Sequence, residues 1–192
     1  MIITEPKWKK LVVETKMPIF TQKLCQEIID MGEKQTKEEG KVEFKDGNYN
    51  ADSNTRSSTI NWIPFDMMQP VYDDINIIIQ KINRNYFGYN DIQITEQAQV
   101  SEYPKGGFYA WHTDIGLNME SEPPVRKLSM TLLLNDPTEF EGGNLEIASH
   151  SLLPMKQGHA AIFASFLQHQ VTPVTRGVRK SLVMWFGGEP LK

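Results

Sequence analysis

Two stretches in the first half of the chain carry apolar residues at helical spacing. The apolar stripe of the first stretch consists of Leu24, Cys25, Ile28, Ile29 and Met31. It follows Thr21, a residue type that caps helix N-termini, and predicts a helix over residues 21–39 that Gly40 ends. The stripe of the second consists of Met67, Val71, Ile75, Ile78, Ile79 and Ile82. It predicts a helix over residues 66–85, with Gly88 just beyond its end.

Beyond residue 91 the chain changes to short apolar or alternating segments divided by Gly and Pro turns. These segments are IQITEQAQVSEY, YAWHTDI, KLSMTLLLN, GNLEIAS, HAAIFAS, HQVTPV and RKSLVMWF. Many short strands at this spacing are typical of a sandwich or a barrel. Residues 10–13 and 55–63 also read as strands, and the polar, Gly/Asn/Asp-rich residues 41–54 predict a loop. Because the helices precede most of the strands, we expect them to pack on one outer face of the sheets.

Composition limits the class of protein. The 192 residues carry a net charge of −4, and 40% of them are hydrophobic, which suits a single globular domain over residues 1–192. We divide it into helical support over about residues 1–90 and a β core over about residues 91–190. The acidic balance gives no electrostatic footprint for a phosphate backbone, so no nucleic-acid partner is expected.

Targeting signals and cysteine usage indicate the compartment. No apolar run approaches the ~20 residues that cross a bilayer, and charged residues occupy the N-terminal positions where a secretory signal would be apolar. The single cysteine, Cys25, cannot form an internal disulfide and excludes Cys-rich zinc or iron–sulfur sites. We therefore expect a cytoplasmic protein without membrane contact, in which Cys25 is a core residue.

A histidine and an aspartate two residues apart provide candidate metal ligands. His112 and Asp114 lie in the strand-like segment YAWHTDI, and residues i and i+2 of a strand project from the same face. A third ligand is available from His150, His159 or His169. Two imidazoles and one carboxylate on one side of Fe(II) form the facial triad of non-haem oxygenases, which leaves positions open for a cosubstrate and dioxygen.

An arginine at the start of an apolar strand provides a candidate anion site. Arg179 opens the strand RKSLVMWF and follows His169 by ten residues. Its planar guanidinium can hold a carboxylate through two hydrogen bonds, as the distal carboxylate of 2-oxoglutarate requires. Arg176 lies in a Thr-Arg-Gly turn, so we favour Arg179 as the anchor.

These residues, in the order His112, Asp114, His169 and Arg179, resemble the Fe(II)/2-oxoglutarate dioxygenase superfamily, and within it the prolyl 4-hydroxylase-like, PKHD-type group. Three segments carry the resemblance: SEYPKGGFYAWHTD, LLLNDPTEFEGGNLEI and HQVTPVTRGVRKSLVMWF. The resemblance implies a mainly β fold with flanking helices, a double-stranded β-helix (jelly roll), with the metal at one mouth. It also implies Fe(II), 2-oxoglutarate and O2 as cofactor and cosubstrates, with ascorbate as a possible reductant for the iron, and hydroxylation coupled to oxidation of 2-oxoglutarate to succinate and CO2.

The resemblance also assigns roles to other residues. His169 becomes the third ligand, while His150 and His159 match no motif and are expected at the surface or at strand ends. Tyr103 matches a family tyrosine whose hydroxyl forms a hydrogen bond to the distal carboxylate of 2-oxoglutarate. Trp185 matches a family tryptophan near the cosubstrate, although a large aromatic residue on a core strand is more often a packing residue alone. Leu133 stands where some relatives carry another cosubstrate-binding tyrosine, so we expect Ser129 or Thr131 to supply the polar lining of the pocket there. Gly142 and Gly143 are expected to serve backbone geometry. Tyr109 is expected to pack or to lie at the mouth of the site, and Arg56 to be solvated or salt-bridged.

The substrate stays open at this point. A prolyl residue in a peptide or protein is favoured by the resemblance, and a free amino acid or small metabolite is the alternative. The nucleic-acid repair demethylases of the superfamily carry a second arginine where this chain has Trp185. Oxygenases of the JmjC type hold the cosubstrate with a lysine elsewhere. A non-catalytic jelly-roll binding module is a further alternative, and such a module would not need the three ligands and the anchor together.

Overall fold

We describe the fold from a computed structural model, over residues 10–43, 49–115, 124–152 and 154–189. Two α-helices lie in these ranges, α1 (Gln22–Glu33) and α2 (Gln69–Ile82). The described residues form sixteen strands: β1 (Val12–Glu14), β2 (Glu38–Glu39), β3 (Lys41–Glu43), β4 (Tyr49–Ala51), β5 (Arg56–Ser57), β6 (Thr59–Ile63), β7 (Gln93–Ile94), β8 (Ala98–Tyr103), β9 (Phe108–His112), β10 (Val125–Leu133), β11 (Phe140–Gly142), β12 (Leu145–Ile147), β13 (Ala160–Ala164), β14 (His169–Val171), β15 (Val174–Gly177) and β16 (Arg179–Gly188).

Two facing sheets of the jelly roll contain most of these strands. The major sheet has the order β1-β13-β10-β16-β8-β6-β2, with β7 also paired to β16. The minor sheet has the order β12-β14-β9-β5, and two small sheets pair β11 with β15 and β3 with β4. The predicted jelly roll with two helices is therefore confirmed.

Helix α1 begins where the sequence predicts but ends earlier. The Thr21 hydroxyl accepts a hydrogen bond from the Leu24 amide at 3.2 Å, so the predicted N-cap is confirmed. The predicted end at residue 39 is wrong, because Glu38–Glu39 pair with Thr59 and Ile60 of the major sheet. No apolar residue follows Met31 before Gly40, and a longer helix would therefore have nothing to bury.

Helix α2 also occupies less of the chain than predicted. Phe65–Met67 form a separate 3-10 turn, and α2 starts with Pro70 in its first turn, where the missing amide hydrogen costs nothing. Beyond Ile82 the chain widens into a π turn that Gly88 closes in the left-handed region at φ 81°. The predicted loop 41–54 is corrected as well, since β3 and β4 within it form a hairpin; its residues 44–48 lie outside the described part of the chain.

The main core lies between the two helices and the outer face of the major sheet. Cys25, Ile28 and Ile75 from the helices pack there with Met130 and Leu182 from the sheet. The helices therefore cover one face of the sheet, as expected. Burial raises the pKa of the Cys25 thiol to about 11, which keeps it protonated, as befits a core residue. Among the described residues no helix is long and apolar enough to cross a bilayer.

The inner face of the major sheet, which faces the minor sheet, is polar. Strand alternation places on it several buried side chains from β8, β10 and β16. These are Gln99, Ser101, Ser129, Thr131, Arg179 and Ser181. Buried polar groups at such density are unusual in a purely structural core, and the space between the sheets is therefore the place to look for a ligand.

Tyr72 on α2 makes a buried link to the sheet whose removal we expect to be costly. Its hydroxyl donates to the Ile63 carbonyl and accepts from the Ala98 amide, both at 2.6 Å. Tyr72→Phe would leave both backbone groups unpaired, and the free energy of unfolding should fall by about 1–3 kcal/mol in urea denaturation. Tyr86→Phe, at an exposed ring, is the matched control, and an equal loss in both variants would contradict this account.

Candidate metal centre

The two neighbouring strands β9 and β14 bring the predicted metal ligands together. His112 ends β9 and lies directly opposite His169, the first residue of β14. Asp114 follows β9, and its backbone amide donates to the Ser165 carbonyl at 2.9 Å, which ties this turn to the end of β13. Side chains from two distant parts of the chain, residues 112–114 and His169, therefore meet at one end of the minor sheet.

The three side chains converge closely enough for one ion. His112 Nε2 lies 3.5 Å from one carboxylate oxygen of Asp114, and His169 Nε2 lies 3.4 Å from the other. One ligand atom from each residue lies within 4.8 Å of the others, and no second group of this kind occurs among the described residues. Two imidazole nitrogens and a carboxylate oxygen are ligands that suit Fe(II).

Each histidine is held with its Nε2 atom toward the cluster. The Nδ1 atom of His112 lies 2.8 Å from the Ala110 carbonyl, and that of His169 lies 3.0 Å from the Leu167 carbonyl. A carbonyl oxygen can only accept, so Nδ1–H donates and the neutral ring keeps its Nε2 lone pair for a metal. An aromatic ring supports each imidazole: Tyr109 stacks on His112 with ring centroids 3.5 Å apart, and Phe163 meets His169 edge-on at 4.6 Å.

The electrostatics of the cluster favour the metal-binding protonation states. Burial alone would raise the pKa of the Asp114 carboxyl, but His169, His112 and Arg126 nearby outweigh it and hold that pKa well below its usual range. Burial lowers the pKa of the His169 imidazole. An ionised carboxylate and a neutral imidazole are the forms that bind a divalent cation.

Arg179 is buried at the start of β16 with a donor left over. It is 2% exposed, its Nη1 donates to the Ser181 hydroxyl at 3.0 Å, and its buried Nη2 has no hydrogen-bond partner among the described residues. Burial lowers the pKa of its guanidinium from the ordinary value. Arg176, in contrast, is exposed and pairs with Glu141. An unpaired, desolvated guanidinium edge fits an anionic group, and Arg179 rather than Arg176 offers one.

Two neighbours shape the surroundings of Arg179. Tyr103 is its cross-strand partner, and the guanidinium carbon lies 5.5 Å from the centre of the Tyr103 ring. Gly143 adopts φ +62°, and a Cβ atom there would lie 2.9 Å from the Arg179 Cδ atom. Gly142 has φ +73°. Both glycines therefore serve backbone geometry as expected, and Gly143 also makes room for the arginine.

A cleft of about 1140 Å³ opens beside β12 and reaches Arg179. Leu133 and Leu145 line it near Arg179. None of the three candidate ligands lines it, but Trp111 and Gln168 do, and each is the immediate neighbour of a candidate histidine. The cleft therefore reaches the anion site, while the three candidate ligands lie outside its lining.

Other predicted residues lie around the cluster. Ser129 bonds the Ser165 hydroxyl at 2.9 Å on the inner face, where Thr131 also lies. Trp185 packs against Trp62, with ring centroids 6.1 Å apart, and its buried Nε1 has no partner. The other two histidines lie outside the group of three candidate ligands. His150 Nε2 lies 3.9 Å from a carboxylate oxygen of Glu14, and His159 Nδ1 lies 2.9 Å from the Thr15 carbonyl.

Sequence reasoning missed a charged pair beside the cluster and misjudged one arginine. Arg126 makes two bonds of 2.5 Å to Glu96, and its guanidinium lies 4.1 Å from the Trp185 ring centre. Nothing in the local sequence joins these residues, which are 30 positions apart. Arg56 is not solvated, since it is 8% exposed and stands 4.6 Å from the centre of the Tyr109 ring, and it has no ion pair with the part of the chain that the structure describes. The prediction for Arg56 is wrong because its burial depends on strands that pair far along the chain.

A jelly roll that presents two imidazoles and one carboxylate on its minor sheet, with a buried arginine on its major sheet, defines the class of facial-triad oxygenases. Residues 98–187 match the sequence model of the 2OG-Fe(II) oxygenase superfamily, and this region of the chain is assigned to that superfamily.

Individual relatives agree with this assignment. A PKHD-type hydroxylase of Shewanella sp. (strain ANA-3) is 35% identical over 89 residues, which cover 44% of this chain and 40% of the relative. One of Azoarcus sp. (strain BH72) is 39% identical over 83 residues, 40% of this chain and 36% of the relative. The chain thus spans about two fifths of the length of the curated relatives it matches, and the predicted resemblance is confirmed.

Solved structures show the same fold. The crystal structure of a Pseudomonas putida prolyl-4-hydroxylase aligns with a TM-score of 0.66 and 21% identity, over 94% of both chains. The viral collagen prolyl hydroxylase from Paramecium Bursaria Chlorella virus-1, solved with 2OG, aligns with a TM-score of 0.70 and 19% identity, over 94% of this chain and 97% of that one.

Proposed function

We propose that this protein is an Fe(II)- and 2-oxoglutarate-dependent hydroxylase that acts on prolyl residues of a peptide or protein. The observation that carries the proposal is the convergence of His112, Asp114 and His169 within 4.8 Å, beside an inner sheet face that holds Arg179 with an unpaired Nη2. In the overall reaction, one oxygen atom of O2 enters the substrate C–H bond as a hydroxyl, and the other enters succinate as 2-oxoglutarate loses CO2.

The residues present fit the metal and the cosubstrate. His112, Asp114 and His169 would hold Fe(II), and Arg179, with Tyr103 beside it, would hold the distal carboxylate of 2-oxoglutarate. Bound Fe(II) supplies the site for the 2-oxo acid and dioxygen and the redox chemistry that joins them. A buried arginine without a carboxylate partner costs free energy, so binding at Arg179 favours a cosubstrate that brings a second carboxylate.

The chain's own contribution is to orient the groups that would hold the metal and the cosubstrate. The carbonyls of Ala110 and Leu167 fix the two imidazoles before any ligand arrives. The nearby His169, His112 and Arg126 hold Asp114 as a carboxylate, and the hydrogen bond from the Asp114 amide to the Ser165 carbonyl keeps it in place. The Ser181 hydroxyl accepts a hydrogen bond from Arg179 Nη1, which leaves Nη2 on the other edge of the guanidinium for the ligand.

The prolyl assignment draws on the relatives and on the surroundings of His112. The relatives are PKHD-type hydroxylases, and solved prolyl hydroxylases share the fold. Trp111, the residue before His112, is 46% exposed, and such aromatic surface suits the apolar ring of proline. Burial raises the pKa of Tyr109 to about 12, so its phenol is neutral and adds no charge.

A screen under defined conditions tests the proposal. Anaerobic Fe(II) and 2-oxoglutarate should give a visible charge-transfer band, and on exposure to air succinate formation should rise several-fold with some prolyl peptides, whose mass should increase by one oxygen atom. Stimulation by a free amino acid, and by none of a broad set of prolyl peptides, would keep the oxygenase and reject the prolyl substrate. Absence of both the band and succinate would favour a non-catalytic binding module.

A further inference from the structure

Arg56 is a buried cation that the proposed chemistry does not use. Its Nε donates to the Ser58 hydroxyl at 2.7 Å and its Nη1 to the Lys41 carbonyl at 3.2 Å. None of the ion pairs found among the described residues includes it, although it is only 8% exposed. Burying a charge to this degree costs free energy, so we expect Arg56 to have a specific role.

The surrounding backbone is built around this side chain. Gly40 packs so closely that a Cβ atom there would lie 2.3 Å from the Arg56 Nε atom and 2.6 Å from the Ser58 hydroxyl. The Gly40 amide also donates to the Ser58 carbonyl at 2.9 Å, which fixes the distance between the two segments. Gly40, predicted to end α1, therefore has another role, which is to leave space for Arg56.

Tyr109 connects Arg56 to the candidate metal centre. Arg56 and Tyr109 are directly opposite on β5 and β9, and the guanidinium carbon lies 4.6 Å from the ring centre. His112 lies against the same ring, at 3.5 Å between centroids and 12° between planes. Because the imidazole fills one face of the ring at that distance, the guanidinium must lie toward the other face. Arg56, Tyr109 and His112 thus form a stacked column.

The two candidate histidines differ in the support they receive. His169 rests against Phe163, which is fully buried and needs no further restraint. His112 rests against Tyr109, which is only partly buried. A guanidinium over the ring supplies the restraint that core packing supplies to Phe163.

We propose that Arg56 is a positioning residue for the metal centre, which acts through Tyr109 to hold the His112 imidazole in its metal-binding orientation. The inference rests on the proposed function, since it assigns His112 to the metal. Residues that orient metal ligands commonly contribute 10- to 100-fold to metal affinity. Arg56 is expected to contribute at the lower end, about 10-fold, because it acts through an intervening ring.

Metal affinity and histidine spectra of Arg56→Met test the proposal. Anaerobic titration with Co(II) should give a dissociation constant about 10-fold above that of the wild type, with an altered visible spectrum. In the metal-free protein, the ¹⁵N signals of the His112 ring should shift or broaden, while those of His169 stay unchanged. If the wild type does not bind Co(II), the proposed function is contradicted instead. The spectra of the metal-free protein test the stacked column independently of metal binding.

Matched variants separate positioning from general stability. Gly40→Ala should displace Arg56 and reproduce the effect without touching its charge, and Tyr109→Leu should do so by removing the stack. Tyr109→Phe keeps the ring and should bind Co(II) as the wild type does. If Arg56→Met does not fold, Gly40→Ala and the Tyr109 pair decide the question by the same readouts.

Three results would overturn the proposal. The first is wild-type Co(II) affinity and an unchanged His112 spectrum in Arg56→Met or in Gly40→Ala. The second is an equal loss in Tyr109→Phe and Tyr109→Leu, which would assign the effect to the phenol hydroxyl rather than to the stack. A rise in the KM for a peptide substrate alone, without a change in metal affinity, would likewise assign Arg56 to substrate contact and not to positioning.

Discussion

His169→Ala should bind Fe(II) more than about 100-fold more weakly than the wild type, since loss of a ligand exceeds the 10- to 100-fold effect usual for residues that only orient ligands. His169 Nε2 lies 3.4 Å from the Asp114 carboxylate, and its removal leaves two ligands and a buried carboxylate with one partner fewer. His112→Ala and Asp114→Ala should behave alike. Anaerobic titration with Fe(II), followed by the charge-transfer band with 2-oxoglutarate, measures the loss.

His159→Ala is the matched control for that prediction. The His159 ring lies against the Thr15 carbonyl, outside the group of three, so its loss should leave Fe(II) affinity unchanged. Circular dichroism should show that all of these variants keep the fold, because the cluster adds little to the main core. An equal loss of Fe(II) binding in His159→Ala and His169→Ala would mean that the third ligand is wrongly assigned.

Arg179→Lys should raise the dissociation constant for 2-oxoglutarate at least about 10-fold, with Fe(II) affinity within about twofold of the wild type. An ammonium cannot reproduce the two parallel bonds of a guanidinium to a carboxylate, and Ser181 already takes one of the donors. Titration of 2-oxoglutarate into the Fe(II)-loaded protein, read from the charge-transfer band, separates the two affinities.

Arg179→Met adds a second observable. The free protein holds a buried guanidinium with an unpaired Nη2, and replacing it by an apolar side chain of similar length removes that cost. We therefore expect Arg179→Met to unfold at an equal or higher temperature than the wild type without ligand, yet to gain no stability from 2-oxoglutarate. Arg176→Lys, at an exposed position, should change neither property. If 2-oxoglutarate bound more weakly to Arg176→Lys but not to Arg179→Lys, the assignment of Arg179 as the anchor would be wrong.

The sequence predicts those parts of the site that follow from strand periodicity. The spacing of His112 and Asp114 and the first position of Arg179 in an apolar strand follow from alternation alone. The same alternation could also have revealed Ser181, two residues after Arg179, as the acceptor on the same face. The choice of His169 over two other histidines, in contrast, needed the resemblance to a family.

What the sequence does not predict depends on partners distant in the chain. Helix α1 ends early because Glu38–Glu39 find a strand partner some twenty residues away. The Arg126–Glu96 pair and the buried position of Arg56 also depend on which strands become neighbours. In each case the local residue pattern is compatible with several structures, and tertiary pairing selects one.

The polar inner face of the major sheet has a consequence for the distribution of stability. The large apolar core lies on the helix side, while the side that carries the minor sheet has two small apolar clusters in the described ranges, around Phe163 and around Tyr103. Amide hydrogens of the minor sheet should therefore exchange with solvent through local opening long before those of β10 and β16 do. Ligands that bind between the sheets would slow this exchange, so the half of the molecule that carries the chemistry gains its rigidity from what it binds.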